Sequence, residues 1–421
     1  MERSRFKMFS DPVHGFISVP KGLLMDLVQT PEVQRLRRIR QLGLGHMVFT
    51  GAEHSRFSHA LGAMALMGDA LTHLADKGTP VSPAEYEGAL IAALLHDLGH
   101  GPFSHTLEHA LFSDFHHEQM SRALMDDLNM RFDGRLSRAL EIFDNTYERP
   151  FFHQLVSSQL DMDRLDYLRR DSFFTGVAEG VVGVERIIKT MRVHPIAGGG
   201  DARLMVERKG QYAVENYLIA RRLMYWQVYL HKTALAADFL LHSLLMVWKT
   251  LPDEPISPAL RFFLTQNLTG ADVQREEVRK MFCALDDLDV EYSIKQWTQS
   301  AHPVMADLAN RFVHRRLFRV AFLEEPPTEA QRVHWRAQLD AWLDPLLQCF
   351  PDQADLIRRV YFLETRLRVQ AYGKLADTIQ VVDREDRVTE LSAIADSLIH
   401  ALSQPEEKTY ICFPKELTLA F

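Results

Sequence analysis

Cysteine is scarce: 421 residues contain three, Cys283, Cys349 and Cys412, widely separated and odd in number. Such a set builds neither a disulfide framework nor a paired-cysteine zinc motif, and it fits a reducing compartment. Long apolar runs are missing as well. The richest, LLHSLLMVW at Leu240–Trp248, is far shorter than the roughly 20 residues needed to cross a bilayer, so no membrane span is expected. The opening stretch MERSRFKMFSDPVHGF has no apolar segment of the signal-peptide kind, so no secretory leader is expected. Positive charge is not in excess: 48 Lys and Arg face 56 Asp and Glu, a net charge of -8. That weighs against a broad nucleic-acid-binding face, while a local basic channel remains open. No repeat or low-complexity tract is visible. A soluble cytoplasmic protein is the expectation. At 47% hydrophobic and 25% charged, the chain has ample material for a core.

Helical patterns dominate the first 250 residues. The run EYEGALIAALLHDLGH is almost wholly apolar from Ala89 to Leu95, which predicts a helix buried on most sides. It delivers His96 and Asp97 at its C-terminal end, where Gly99, Gly101 and Pro102 stop it. A second helix is expected from about Arg56 to Gly78, with His59 in its first turns. A third, over about 153–173, would place Asp163, Tyr167 and Asp171 on one stripe at i, i+4 and i+8. A β-hairpin is expected over RLMVERKGQYAVE, turning at Lys209-Gly210. One long apolar helix should follow, from Glu215 to Trp248, with an aromatic cluster at Tyr225, Trp226 and Tyr229. The prolines of LPDEPISP then punctuate the chain. Strand-like runs RLFRVAFLE, TRLRVQAY, DTIQVVD and TYICF mark the C-terminal part. The expected fold is mainly α: a helical core with a small β-hairpin over 1–250, a helical connection over 251–300, and a smaller α+β region over 301–421.

His96 and Asp97 stand together in LLHDLGHGPFSH, with His59 upstream in HSRFSH and Asp163 downstream in DMDRLDY. Two imidazoles with two carboxylates suit a divalent cation that keeps open positions for water and phosphate oxygens. Around them lie, in order, DPVHGF, TPEVQRLRRIRQLG, VFTGAEHSRFSHALG, HDLGHGPFSH, HHEQ, LDMDRLDYLRRDS and YLHK, from Asp11 to Lys232. A bare His-Asp dipeptide would carry no weight. The ordered set resembles the HD superfamily of phosphohydrolases, and within it the deoxynucleoside triphosphate (dNTP) triphosphohydrolase branch.

The resemblance implies that 1–250 is an HD-domain catalytic core and that His59, His96, Asp97 and Asp163 hold the metal. Mn, Mg, Fe, Ni and Co all fit the mixed nitrogen and oxygen set, and the sequence does not choose among them. It implies that His105 and His117 approach the α-phosphate, with His100 beside them and Glu108 orienting the group. The alternative for each histidine is hydrogen bonding to a ligand residue. His153 and His231 are expected to be packing or surface residues. Arg56, Arg164 and Arg221 match positions that hold a triphosphate, with Arg164 standing where mammalian members carry Lys; guanidinium forks suit such a ligand. Arg35, Arg37 and Arg38 are expected on a solvated or interface face. Gln41, Tyr167 and Asp171 match residues that read the 3′-hydroxyl of a deoxyribose and exclude a 2′-hydroxyl. Tyr229 matches an aromatic that stacks on the base. Leu230 replaces a glutamine of the mammalian members, so base preference does not carry over.

The activity implied is hydrolysis of a dNTP to a deoxynucleoside and inorganic triphosphate, by attack of metal-activated water on the α-phosphorus. The alternatives are another HD phosphohydrolase (a nucleotidase, a phosphodiesterase or a single-strand nuclease) or a dNTP-binding sensor. A homo-oligomer is expected by resemblance. A nucleotide activator is possible but GTP is not implied, because Gln29 replaces the Asp that reads guanine, although Arg37 is kept.

Overall fold

Apolar residues recur at helical spacing along most of the chain, and helix accordingly dominates. The structure, a computed structural model, describes residues 5–196, 200–369, 378–394, 397, 399 and 406–419. It opens with an antiparallel hairpin, β1 (Phe6–Asp11) and β2 (Gly15–Pro20). Helices α1 (Leu23–Val28) and α2 (Pro31–Arg35) lead to two central helices, α3 (Arg56–Asp76) and α4 (Pro83–Leu95). Next come α5 (His105–Leu111), α6 (His117–Arg131), α7 (Ser137–Phe143), α8 (Phe151–Val156), α9 (Met162–Thr175) and α10 (Val184–Thr190). Strands β3 (Met191–Ile196) and β4 (Gly200–Glu207) pair antiparallel, and α11 (Gln211–Met224) and α12 (Lys232–Trp248) follow. Four more helices are α13 (Pro258–Thr265), α14 (Glu276–Ala284), α15 (Asp287–Trp297) and α16 (Pro303–Val313). The rest mixes β5 (Arg319–Leu323), α17 (Glu329–Cys349), α18 (Ala354–Tyr361), β6 (Leu363–Val369), β7 (Gln380–Val382), β8 (Val388–Glu390) and β9 (Glu406–Phe413). The fold is mainly α with small sheets.

Strand β9 pairs antiparallel with β5 on one side and β6 on the other. Strand β7 runs parallel to β4, Val206 opposite Val381, which joins the C-terminal part to the hairpin of the helical core. One hydrophobic cluster extends from Ile17 to Leu419. No single helix among the described residues is long and apolar enough to cross a membrane. All four strand-like C-terminal runs contain strands; residues 370–372 and 377, at the ends of two of them, lie outside the described residues.

Helix α4 starts with a capping box. Ser82 Oγ accepts from Glu85 N, and Glu85 Oε2 accepts from Ser82 N at 2.7 Å. Glu85 Oε1 also accepts from Tyr147 (2.8 Å) and Arg149. Burial raises its pKa, but these donors outweigh burial and bring it down to about 2 from the ordinary 4.5. The folded-state pKa is depressed, so the contribution is full above pH 4.5 and lost as pH falls towards 2. Glu85→Gln is expected to cost about 2–3 kcal/mol at pH 7. Urea melts across that window should show the variant losing less stability on acidification than the parent.

Three local expectations are corrected. The hairpin is formed by β3 and β4, not by β4 and the segment after Lys209-Gly210. Met205 and Val206 are both buried in β4, but from Gln211 onward Val214, Tyr217, Leu218 and Arg221 are buried at helical spacing, and that segment continues as α11. The helix expected over 153–173 is two helices, α8 and α9. Asp161 separates them by capping α9, its Oδ1 accepting from Arg164 N at 2.7 Å. The long helix expected from Glu215 to Trp248 is broken by a π turn at Tyr225–Tyr229, where Leu230 N donates to Tyr225 O (2.8 Å), and the halves bend by 53°.

Candidate functional site

Helices α3, α4 and α9 meet at their chemistry-bearing ends. His59 lies in the first turn of α3, His96 caps the C-terminus of α4, and Asp163 lies in the first turn of α9. One donor atom from each falls within 4.8 Å of the others. Asp97 adjoins the group, its carboxylate 3.6 Å from His59 Nε2 and 3.4 Å from His96 Nε2. The tautomers are fixed from behind. His59 Nδ1 donates to Asp166 Oδ2 (2.8 Å), and His96 Nδ1 donates to the Ala93 carbonyl (2.7 Å). Both Nε2 atoms therefore face the carboxylates, and both are buried without a hydrogen-bond partner. His59 Nε2 stands 3.0 Å from Asp163 Oδ1 without the angle of a hydrogen bond. Two orphaned imidazole nitrogens with two carboxylates fit a divalent cation, and their outer hydrogen bonds orient them for it.

Electrostatics agree with this fit. Burial opposes charge on His59, but Asp163 and Asp166 outweigh it and push its pKa up to about 10. Burial likewise opposes charge on His96, while Asp97 and Asp163 push it up to about 9. The site concentrates negative charge, and a cation entering it displaces protons from the imidazoles.

A second group adjoins the first. Asp97, His100 and His117 also bring one donor atom each within 4.8 Å of one another. His100 Nδ1 is 3.2 Å from Asp97 Oδ1, and its ring centroid lies 3.8 Å from that of His117. Burial and then Arg56 hold His100 well below the ordinary histidine range, so it is neutral at pH 7. Glu108 Oε1 accepts from the backbone N of His117 (2.9 Å). His105 opens α5, and its side chain lies outside the described residues. Gly99 does more than end a helix. A Cβ there would fall 1.9 Å from His117 O and 2.4 Å from Ser121 N, so only glycine lets α6 approach the loop after α4.

These groups open on a cavity of about 570 Å³, within the range of small-molecule sites. His96, Asp97, His100, His117 and Asp163 line it together with Arg56 and Arg164. Arg56 is held by Asp97 Oδ2 and by Ser104 Oγ at 2.7 Å; Arg164 Nε donates to Ser158 O at 2.7 Å. Gln41, Tyr167, Asp171 and Tyr229 line the same cavity. The Gln41 Oε1 is buried without a hydrogen-bond partner. Tyr229 OH donates to Asp171 Oδ2 (2.9 Å), and Tyr167 meets the Tyr229 ring edge-on at 6.2 Å. The π turn brings Tyr225, Val228 and Tyr229 to this wall. Arg221 does not line the cavity. It is buried, its Nη1 donates to Gln159 Oε1 (3.1 Å), and its Nε has no partner.

The HD-domain family model matches residues 56–168, the segment that carries His59, His96, Asp97 and Asp163. An uncharacterised Bacillus subtilis protein, YwfO, is 35% identical over 358 residues, 81% of this chain and 78% of its own length. A solved phosphohydrolase from Bacteroides thetaiotaomicron shares 39% identity at a TM-score of 0.87, over 97% of this chain and 99% of its own. The chain belongs to the HD-domain phosphohydrolase family. The deoxynucleoside triphosphate triphosphohydrolase SAMHD1 of Bos taurus is 31% identical over 44% of this HD hydrolase, which covers 38% of that relative. The SAMHD1 homologue of Dictyostelium discoideum is 30% identical over 57% of the chain, covering 49% of its length. The HD hydrolase thus spans about half of the length of these relatives or less.

Some site residues of the HD hydrolase escaped sequence reasoning. His54 Nε2 pairs with Asp171 Oδ1 (2.7 Å) while its ring stacks on Phe174. Asp166 orients His59, and Asp161 caps α9. The available signals were spacing within AEHSRFSH and the i, i+3 relation of Asp163 to Asp166. His153, expected to pack or face solvent, lines the cavity. Arg35, expected on a solvated or interface face, is 1% exposed. Its guanidinium donates to Leu285 O (2.8 Å), His100 O (2.9 Å) and Leu98 O (3.3 Å), tying the C-terminal end of α14 to the loop after α4. A fork with five donors satisfies the carbonyls of three buried residues. Arg35→Met should strand them and cost about 3 kcal/mol or more, read from the urea midpoint.

Proposed function

We propose that this HD hydrolase cleaves a dNTP between the α-phosphorus and the 5′ oxygen, releasing a deoxynucleoside and inorganic triphosphate. The observation that carries the reading is the single cavity that joins both His/Asp groups to Gln41, Tyr167, Asp171 and Tyr229. The relatives named as dNTP triphosphohydrolases support the same substrate class. His59, His96, Asp97 and Asp163 would hold the divalent cation. That cation, when bound, supplies Lewis-acid charge at the reacting phosphorus. Arg56 and Arg164, which line the cavity, hold the triphosphate, and buried Arg221 adds positive charge behind the wall without contacting it. His117, beside Glu108, protonates the leaving 5′ oxygen, and neutral His100 accepts a hydrogen bond. His105 shares the leaving-group side. Gln41 Oε1 accepts from the sugar hydroxyl, and Asp171 is held in place by His54 and Tyr229. A homo-oligomer is part of this reading.

Incubation with all four dNTPs and Mn²⁺, followed by chromatography, tests it. Tripolyphosphate with deoxynucleosides supports it. Orthophosphate or nucleoside monophosphate points to another HD phosphohydrolase, and binding without turnover to a sensor. Base selectivity should be weak. Stacking on an aromatic face tolerates every base, and Leu230 offers no hydrogen bond. The four dNTPs in equimolar competition should differ by less than about tenfold, roughly 1.4 kcal/mol. Exclusive use of one would show that other residues read the base.

A further inference from the structure

We propose that His14, carried by the turn of the N-terminal hairpin, is a positioning residue for His59 and sets how tightly the site holds its cation. The inference rests on the reading of His59, His96, Asp97 and Asp163 as cation donors. His14 lies outside the HD-family match, which begins at residue 56.

The connection is a closed hydrogen-bond chain. His14 Nε2 is 2.6 Å from Asp166 Oδ1, and Asp166 Oδ2 accepts from His59 Nδ1 at 2.8 Å. Arg170 fills the rest of the carboxylate, Nε to Oδ2 at 2.8 Å and Nη2 to Oδ1 at 3.1 Å. Asp166 and Arg170 are fully buried, and the His14 side chain is 9% exposed. An ionised carboxylate only accepts, so both histidines donate to Asp166 and its four acceptor positions are used. That leaves His59 Nε2 facing Asp163 and Asp97. The chain is anchored at its outer end too. Arg170 Nη1 donates to Asp11 Oδ2 (2.7 Å), while Asp11 Oδ1 accepts from Val13 N and His14 N, each at 2.9 Å. The turn therefore arrives with His14 already aimed.

Removing the His14 donor leaves Asp166 Oδ1 with only the longer Arg170 bond. The carboxylate is then free to turn towards Arg170, and the His59 imidazole loses the acceptor that orients it. The space left by a smaller side chain opens into a second cavity, of about 440 Å³, that His14 lines with Asp69, His73 and Glu185. A substitution there leaves no sealed void, which favours a folded variant.

The test uses the full chain, stripped by chelation and titrated with Mn²⁺ alone, free Mn²⁺ being read by electron paramagnetic resonance. His14→Ala should weaken binding about ten- to hundredfold, as loss of such an outer partner typically does, and His14→Gln should stay within about threefold of the parent. The glutamine amide nitrogen can take the place of Nε2 and donate to Asp166. Melting curves of the metal-free variants separate anchoring of the hairpin from positioning. If both variants melt lower yet bind Mn²⁺ like the parent, or if glutamine weakens binding as much as alanine, the inference is overturned. If the parent itself binds no Mn²⁺, the cation reading fails and the inference falls with it.

Discussion

His96→Ala and Asp97→Asn are each expected to reduce hydrolysis by at least about a thousandfold, equivalent to roughly 4 kcal/mol of barrier. Both residues sit at the end of α4, where backbone geometry holds them against His59 and Asp163. His96 contributes a nitrogen that has no other partner, and its opposite nitrogen is already committed to Ala93 O. Asp97 reaches both groups, adjoining His59 and His96 on one side and His100 on the other. Its loss also strands Arg56, which donates to its Oδ2. The variants should remain folded, since α4 is held by its capping box and its apolar run. Elemental analysis should find less than one metal per chain in either variant. Undiminished activity of chelator-treated His96→Ala would contradict the metal-dependent reading.

Sugar discrimination is the second large effect. The unaltered protein should hydrolyse dNTPs at least about a hundredfold faster than ribonucleotides, a difference of roughly 2.7 kcal/mol, and Tyr167→Ala should remove most of it. Helix α9 acts as a ruler. Asp163, Tyr167 and Asp171 lie on one stripe, and a rise of 1.5 Å per residue sets Tyr167 about 6 Å and Asp171 about 12 Å along the axis from Asp163. On the proposed reading, the cation donor Asp163 and the residues meant to face the sugar thus keep a fixed spacing. Tyr167 is braced by the Tyr229 ring, and Tyr229 is tied to Asp171, which on the proposed reading keeps the wall from yielding to an extra oxygen. Steady-state rates with dATP and ATP decide the matter. Equal rates in the parent would favour a general nucleotidase.

The parts visible in sequence were those that local pattern controls. The apolar run Ala89–Leu95, ended by glycine and proline, announced α4 and the delivery of His96 and Asp97. The i, i+4, i+8 spacing announced the cavity-facing stripe of α9. What escaped depends on partners distant in the chain. Arg35 looks like any surface arginine until the end of α14 presents the Leu285 carbonyl to it. Lys209-Gly210 reads as a hairpin turn, but strand β3 had already taken the pairing edge of β4. The aromatic run Tyr225–Tyr229 gives no sign of a π turn, which forms where Tyr225, Val228 and Tyr229 line the cavity. Asp166 and His14 lie inside LDMDRLDYLRRDS and DPVHGF, but nothing in those strings pairs them, and only the folded chain brings both to His59.

Hydrolysis of a dNTP in ¹⁸O-labelled water, with mass spectrometry of both products, tests the central claim most directly. Attack at the α-phosphorus breaks its bond to the 5′ oxygen, so one ¹⁸O should appear in tripolyphosphate and none in the deoxynucleoside. Label in orthophosphate, in pyrophosphate or in a nucleoside monophosphate would place the cleavage elsewhere and contradict it.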